Sequence, residues 1–156
     1  MKIAALLICL LSLIIACQPT DLKKKQFTSF GKLVYQKQCA NCHQTDGNGY
    51  QALYPPLNGS DILMKNPMEQ LNTIVHGSPG GMEVNGKKYS MSMPKFDHLT
   101  HDELAKVLTF ITNSWENSSR LYTAEEVADW LKTNPKYLQE KTLNFYSNAQ
   151  NGFILH

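Results

Sequence analysis

The sequence predicts an all-α domain, and three observations carry that reading. Apolar residues recur at helical spacing in several stretches, opened by capping residues or closed by breakers: Asn66-Pro67, Thr100 with Glu103, Thr123-Ala124-Glu125-Glu126 and Gly77. β-structure is signalled only by a short hairpin turn at Asn85-Gly86. Finally, Cys39-Ala40-Asn41-Cys42-His43 has the spacing of a c-type haem attachment site. The helices are therefore expected to wrap around one covalently bound haem.

The chain opens with Met1-Lys2 and an apolar run from Ile3 to Ala16, too short and wrongly flanked for a membrane span. It ends in Ile14-Ile15-Ala16-Cys17, which resembles the lipobox of bacterial lipoproteins. Residues 1–16 are expected to be a signal peptide, with Cys17 the lipidated new N-terminus. Several acyl chains there would hold the protein firmly to a membrane. Residues 17–26 are polar, contain Lys23-Lys24-Lys25 and read as a tether. Loss of residues 1–16 leaves 14 bases against 13 acids, so nothing points to nucleic acid. The four cysteines are then accounted for: Cys9 leaves with the signal, Cys17 takes lipid, and Cys39 and Cys42 take haem. No disulfide is expected, although the compartment outside the cytoplasm would permit one.

A first helix is predicted over about Phe27 to Cys39, with Phe30, Leu33, Val34 and Tyr35 near helical spacing. Gly31 and Tyr35 share a face, and the glycine admits a close helix approach. In the haem motif each thiol adds to one vinyl group of the porphyrin, and His43 lies beneath the ring as an axial ligand. A thioredoxin-like pair would need a strand–helix–strand setting, and structural zinc would need further ligands; neither is visible. Asp46-Gly47-Asn48-Gly49 forms a turn-rich loop, and Tyr54-Pro55-Pro56-Leu57 is extended.

A second helix opens at Asn66-Pro67 with Glu69 in a capping-box-like position, buries Leu71, Ile74 and Val75, and stops at Gly77. After the hairpin comes Ser90-Met91-Ser92-Met93-Pro94. Pro94 pushes Met93 into an extended conformation, suited to crossing the open haem face as sixth ligand. Met91 rivals it on the same loop. Met64, Met68 and Met82 suit core filling, and His76, His98 and His101 also compete for the iron. A third helix runs from Thr100 to about Trp115 on Leu104, Val107, Leu108 and Ile111. A fourth carries Val127, Trp130 and Leu131 and stops at Asn134-Pro135. Leu138, Leu143 and Phe145 leave the tail open between a further helix and a frayed end.

These residues identify a resemblance. Gly31-Lys32-Leu33-Val34-Tyr35, Cys39 to His43, Pro55-Pro56-Leu57, Met93-Pro94-Lys95-Phe96 and Val107 to Ile111 resemble class I cytochromes c over residues 28–118. Val84 to Pro94 and Leu108 to Asn117 are similar to haem domains associated with bacterial copper nitrite reductases and membrane-bound dehydrogenases. The resemblance implies the class I fold over 27–118, with a helical extension over 119–156. It further implies a crossing of the first and last core helices at Gly31 and Tyr35. A backbone carbonyl near Pro55 should hold His43, and one haem edge should be exposed to a partner.

The expected function is electron transfer by one haem c with ligands His43 and Met93, lipid-anchored on the periplasmic side of a bacterial membrane. The partners are donor and acceptor proteins, which Lys37, Lys87, Lys88 and Lys95 would steer if acidic. No catalytic residue and no small-molecule substrate are expected. The alternative is a fixed relay subunit of a respiratory reductase, oxidase or dehydrogenase. A haem enzyme or gas binder would need an open sixth position, against which Met93 argues.

Overall fold

The computed structural model describes residues 19–134. The signal peptide 1–16, the lipidation site Cys17 and residues 135–156 of the expected extension lie outside the described residues. The first helix, α1, spans Pro19–Gln38 and so begins eight residues before the predicted Phe27. Most of the expected tether 17–26 is therefore helix. Pro19 suits a first turn, where an N–H has no intrahelical partner, and Asp21 there complements the helix dipole. The segment is also docked. The Lys24 ammonium donates to the Ser119 carbonyl at 2.7 Å, and Lys23 lies 5.8 Å over the Phe27 ring.

A one-turn helix, α2, spans Ala40–His43. Another short helix, α3 at Asp61–Lys65, was not predicted; five residues show no period to read. Ser60 caps it by accepting the Leu63 N–H at 3.3 Å, and Leu63 is buried. Helix α4 covers Pro67–His76 as expected, but the Asn66 side chain makes no capping hydrogen bond. Strands β1 (Met82–Val84) and β2 (Lys87–Tyr89) pair antiparallel with Val84 opposite Lys87. Asn85 and Gly86 both adopt positive φ, +52° and +72°, as a two-residue type I′ turn demands.

Helix α5 spans His101–Ile111, opened by a complete capping box between Thr100 and Glu103. It stops four residues short of the predicted Trp115. The Thr112 hydroxyl bonds back to the Leu108 carbonyl at 2.7 Å, Asn117 takes the Ile111 carbonyl, and Trp115 turns the chain with φ +57°. Helix α6 (Ala124–Thr133) opens on a second capping box, Thr123 with Glu126.

The core forms where α1 crosses α5. A Cβ on Gly31 would sit 2.0 Å from the Lys106 carbonyl oxygen, so only glycine permits this approach. Tyr35 meets Phe110 across the crossing, ring centroids 5.2 Å apart. Leu71 and Ile74 from α4 and Leu104 and Leu108 from α5 complete one cluster, which Tyr122 and Val127 join. The described part of the expected extension thus packs into the same core.

Candidate haem site

The last turn of α1 delivers the haem motif. Cys39 N–H bonds to the Tyr35 carbonyl at 2.8 Å, and His43 N–H to the Cys39 carbonyl at 3.0 Å. One tight turn therefore brings Cys39, Cys42 and His43 together in the lining of a cleft of about 230 Å³. Gln44 then turns the chain at φ +62°, and the Tyr35 hydroxyl donates to its carbonyl at 2.5 Å.

The following loop is held from behind. Its Gly47 carbonyl accepts the Leu57 and Asn58 N–H groups at 2.7 and 2.9 Å. Trp115 packs over Gly47, where a Cβ would fall 2.7 Å from the indole ring, and its Nε1 donates to Thr45 O at 3.3 Å. This folding brings the Pro55 carbonyl to 2.9 Å from His43 Nδ1. With Nδ1 donating to that oxygen, Nε2 is the ring nitrogen left for a metal.

The lining of the same cleft includes Met82, Met91, Met93 and Phe96. Met93 is pinned through its own backbone: its N–H donates to Ser78 O at 2.8 Å, and its carbonyl accepts the Ser78 N–H at 2.9 Å. Gly77, at φ +78°, makes room for this bridge, since a Cβ there would sit 2.5 Å from the Met93 carbonyl oxygen. Met93 packs on the core, whereas Met91 is 44% exposed. Met64 and Met68 pack against the core outside the cleft lining. His76, His98 and His101 are exposed and do not line it. Lys37, Lys87, Lys88 and Lys95 are all exposed; Lys95 pairs with Asp97 at 2.8 Å, and Lys87 donates to Gln51 O at 3.1 Å.

The electrostatics suit a covalently held haem. Burial, and secondarily the neighbouring Cys42, pushes the Cys39 thiol up to about 12. The site thus favours uncharged sulfur, the state a thioether has. Burial also lowers the His43 pKa, partly opposed by its bond to Pro55, which favours the neutral imidazole that metals bind. Burial likewise raises the Tyr35 phenol. An apolar cleft lined by two thiols, an imidazole held neutral and methionine thioethers fits the group.

Sequence reasoning missed Asn117. Its side chain, 7% exposed, donates to Leu57 O at 2.8 Å and Ile111 O at 2.7 Å, and accepts from Gly59 N at 2.9 Å. It ties the end of α5 to the Pro55 loop. The run Asn113 to Asn117 after an apolar helix signalled a helix end, but no spacing tells where such a side chain reaches.

The family model for cytochrome c matches residues 29–115. Cytochrome c-552 of Thermus thermophilus is 36% identical over 99 residues, covering 58% of this chain and 76% of that protein. The cytochrome c subunit of quinone alcohol dehydrogenase from Gluconobacter oxydans is 33% identical over 92 residues, 57% of this chain and 19% of that subunit. The gluconate 2-dehydrogenase cytochrome c subunit of Pantoea cypripedii is 32% identical over 108 residues, 65% of this chain and 24% of that subunit. The match runs from α1 to the Trp115 turn and takes in the Cys39–His43 motif, so the chain belongs to the cytochrome c family, with covalent haem c as its cofactor and electron transfer as its role.

Proposed function

We propose that this electron carrier holds its iron between His43 and Met93 and is lipid-anchored through Cys17 on the periplasmic side of a bacterial membrane. The observation that carries the ligand reading is that His43 and Met93 line one cleft and each is held by hydrogen bonds to backbone groups. His43 is oriented by Pro55, and Met93 is fixed by its bridge to Ser78. When bound, haem supplies an iron that gains and loses one electron. The chain's part is to hold both ligands in place, so that little has to move when the charge changes, and to keep the ring in an apolar cleft. Methionine opposite histidine raises the potential. Electron transfer needs no acid, base or substrate pocket, which supports a non-catalytic role for the chain. The anchor rests on Ile14-Ile15-Ala16-Cys17 and on the compartment in which haem is attached to such motifs.

Absorption spectra of the oxidised and reduced holoprotein, with carbon monoxide added to the reduced form, test the ligand reading. The expected result is a low-spin spectrum, the weak methionine–ferric band and no carbon monoxide response. Met93→Ala should abolish the band, and Met91→Ala should leave it. Ready carbon monoxide binding by the unaltered protein would instead indicate an open sixth position.

One observation favours a second reading. Several relatives are cytochrome c subunits of dehydrogenases, although this chain spans only about a fifth to a quarter of each. A fixed relay role in such a complex uses the same haem chemistry. Purification from gently solubilised membranes separates the two readings: a relay subunit co-purifies with a dehydrogenase in constant ratio, and a free carrier does not.

A further inference from the structure

Helix α1 is apolar on two faces. Gly31 and Tyr35 face α5 and are buried. At about 100° per residue, Leu22 and Leu33 fall on roughly the opposite side, and Phe30 lies about 60–80° round from them on the flank, where the Lys106 ammonium of α5 sits 4.9 Å over its ring. Leu22, Phe30 and Leu33 are 57%, 54% and 61% exposed, although a helix packed on one side ordinarily turns polar residues to water. The three span about 16 Å along the axis. The stripe ends where α1 runs into Gln38 and Cys39, both in the cleft lining.

We infer that this stripe is the surface on which the domain rests against the bilayer, with α1 lying along the headgroup region. The inference rests on the reading of Cys17 as the lipidated N-terminus. Cys17 lies two residues before Pro19, so an acylated Cys17 holds the start of α1 within about 7 Å of the membrane. Charge points the same way. Helix α1 carries five lysines (Lys23, Lys24, Lys25, Lys32 and Lys37) and a single acid, Asp21. Lys25, Lys32 and Lys37 are exposed; Lys25 and Lys32 flank the arc on one side, and Lys37 lies within it one turn beyond Leu33. There an ammonium group reaches anionic headgroups while its stem covers apolar surface. Apolar residues on one face with flanking lysines are the pattern of a helix lying in the interface. A domain seated this way keeps the Cys39 end of α1, and hence the haem cleft, beside the membrane surface. It would then meet redox partners embedded in the same membrane rather than diffusing proteins approaching from any side.

The test uses the acylated holoprotein in vesicles of phosphatidylethanolamine and phosphatidylglycerol, in the reduced state. Gln26→Cys places a nitroxide within the stripe, and Glu83→Cys places one on the hairpin; both positions are exposed. Accessibility to oxygen and to a water-soluble nickel reagent is read at each label, in detergent and in vesicles. The expected result is a several-fold loss of nickel accessibility with a gain for oxygen at position 26 on vesicle insertion, and no change at position 83. Leu22→Gln with Leu33→Gln should return position 26 to water. Equal nickel access at both positions in vesicles overturns the proposal. So does a label at 26 shielded from both reagents in detergent as in vesicles, which would mean that residues 135–156 or a second copy cover the stripe. The mass of the N-terminal peptide separately reads the anchor. An unacylated Cys17 removes the anchor reading, while the same labels on protein mixed with vesicles still decide the stripe.

Discussion

Replacing Asn117 by alanine should destabilise the haem-loaded protein and weaken the hold of the Pro55 carbonyl on His43. Three hydrogen bonds disappear, those to Leu57 O, Ile111 O and from Gly59 N. At about 1 kcal/mol net for each, the loss is about 3 kcal/mol. The Ile111 residue is buried, so its carbonyl stays unpaired and adds roughly 1 kcal/mol. Water reaches the half-buried Leu57 and the exposed Gly59, which limits the rest. The neighbouring bond from Glu116 N to Asn58 Oδ1, 3.2 Å, survives and keeps the loop from detaching entirely. A domain of this size loses roughly 3–5 °C in Tm per kcal/mol, so a loss of about 3–4 kcal/mol gives an expected fall of roughly 10–20 °C. The assay is thermal unfolding of the ferric protein, followed by far-ultraviolet circular dichroism and by the haem absorption. The methionine–ferric band should fade at a lower temperature than in the unaltered protein, because the loop carrying Pro55 loosens first. Asn117→Asp should be no better than alanine, since it keeps the acceptor for Gly59 but turns a carboxylate toward two carbonyl oxygens. A fall in Tm below about 3 °C for Asn117→Ala, or an aspartate variant as stable as the native protein, would refute the reasoning.

Other outcomes follow from the same geometry. Gly31→Ala gains about 1 kcal/mol of helix propensity but forces a methyl group into the Lys106 carbonyl, an overpacking cost of about 1–3 kcal/mol. Net loss of stability in denaturant titrations is expected, larger for Gly31→Val. Gly77→Ala carries backbone strain of about 1–3 kcal/mol at φ +78° and ψ −175° and presses on the Met93 carbonyl. Its reduction potential should drop and its methionine band weaken; an unchanged potential would show that Gly77 does not position Met93. The Glu103 carboxylate accepts the Thr100 N–H at 2.9 Å, which holds it below the ordinary glutamate range. Its folded pKa lies below the unfolded one. The capping contribution is therefore present above the unfolded value and is lost as pH falls through the folded one. The stability difference between native protein and Glu103→Gln should shrink on acidification from neutral pH, and a difference independent of pH would contradict this.

The legible features were those whose cause is local. The capping boxes at Thr100 and Thr123, the type I′ turn at Asn85-Gly86 and the stop at Gly77 each depend on a few adjacent residues, and each formed as read. Local signals misled where tertiary contact decided. Residues 19–26 look like a polar tether, but Lys24 finds the Ser119 carbonyl and the helix extends over them. Helical spacing continues past Ile111, but Asn117 takes that carbonyl and Trp115 turns back over Gly47. Helix α3 had too few residues to show a period.

The sequence by itself determined the covalent haem motif, the helical class and the residue types available as ligands. Those depend on chemistry carried within a few positions: two thiols and an imidazole on one turn, and a methionine before a proline. Only the tertiary structure decided which methionine of the cleft has its backbone bridged, which carbonyl orients His43 and which residues of α1 stay exposed. Met93 is distinguished from Met91 by a backbone bridge to Ser78, fifteen residues away in the chain. Pro55 reaches His43 only because Gly47, Trp115 and Asn117 fold the intervening loop. Such contacts join segments distant in sequence, and no local pattern encodes them.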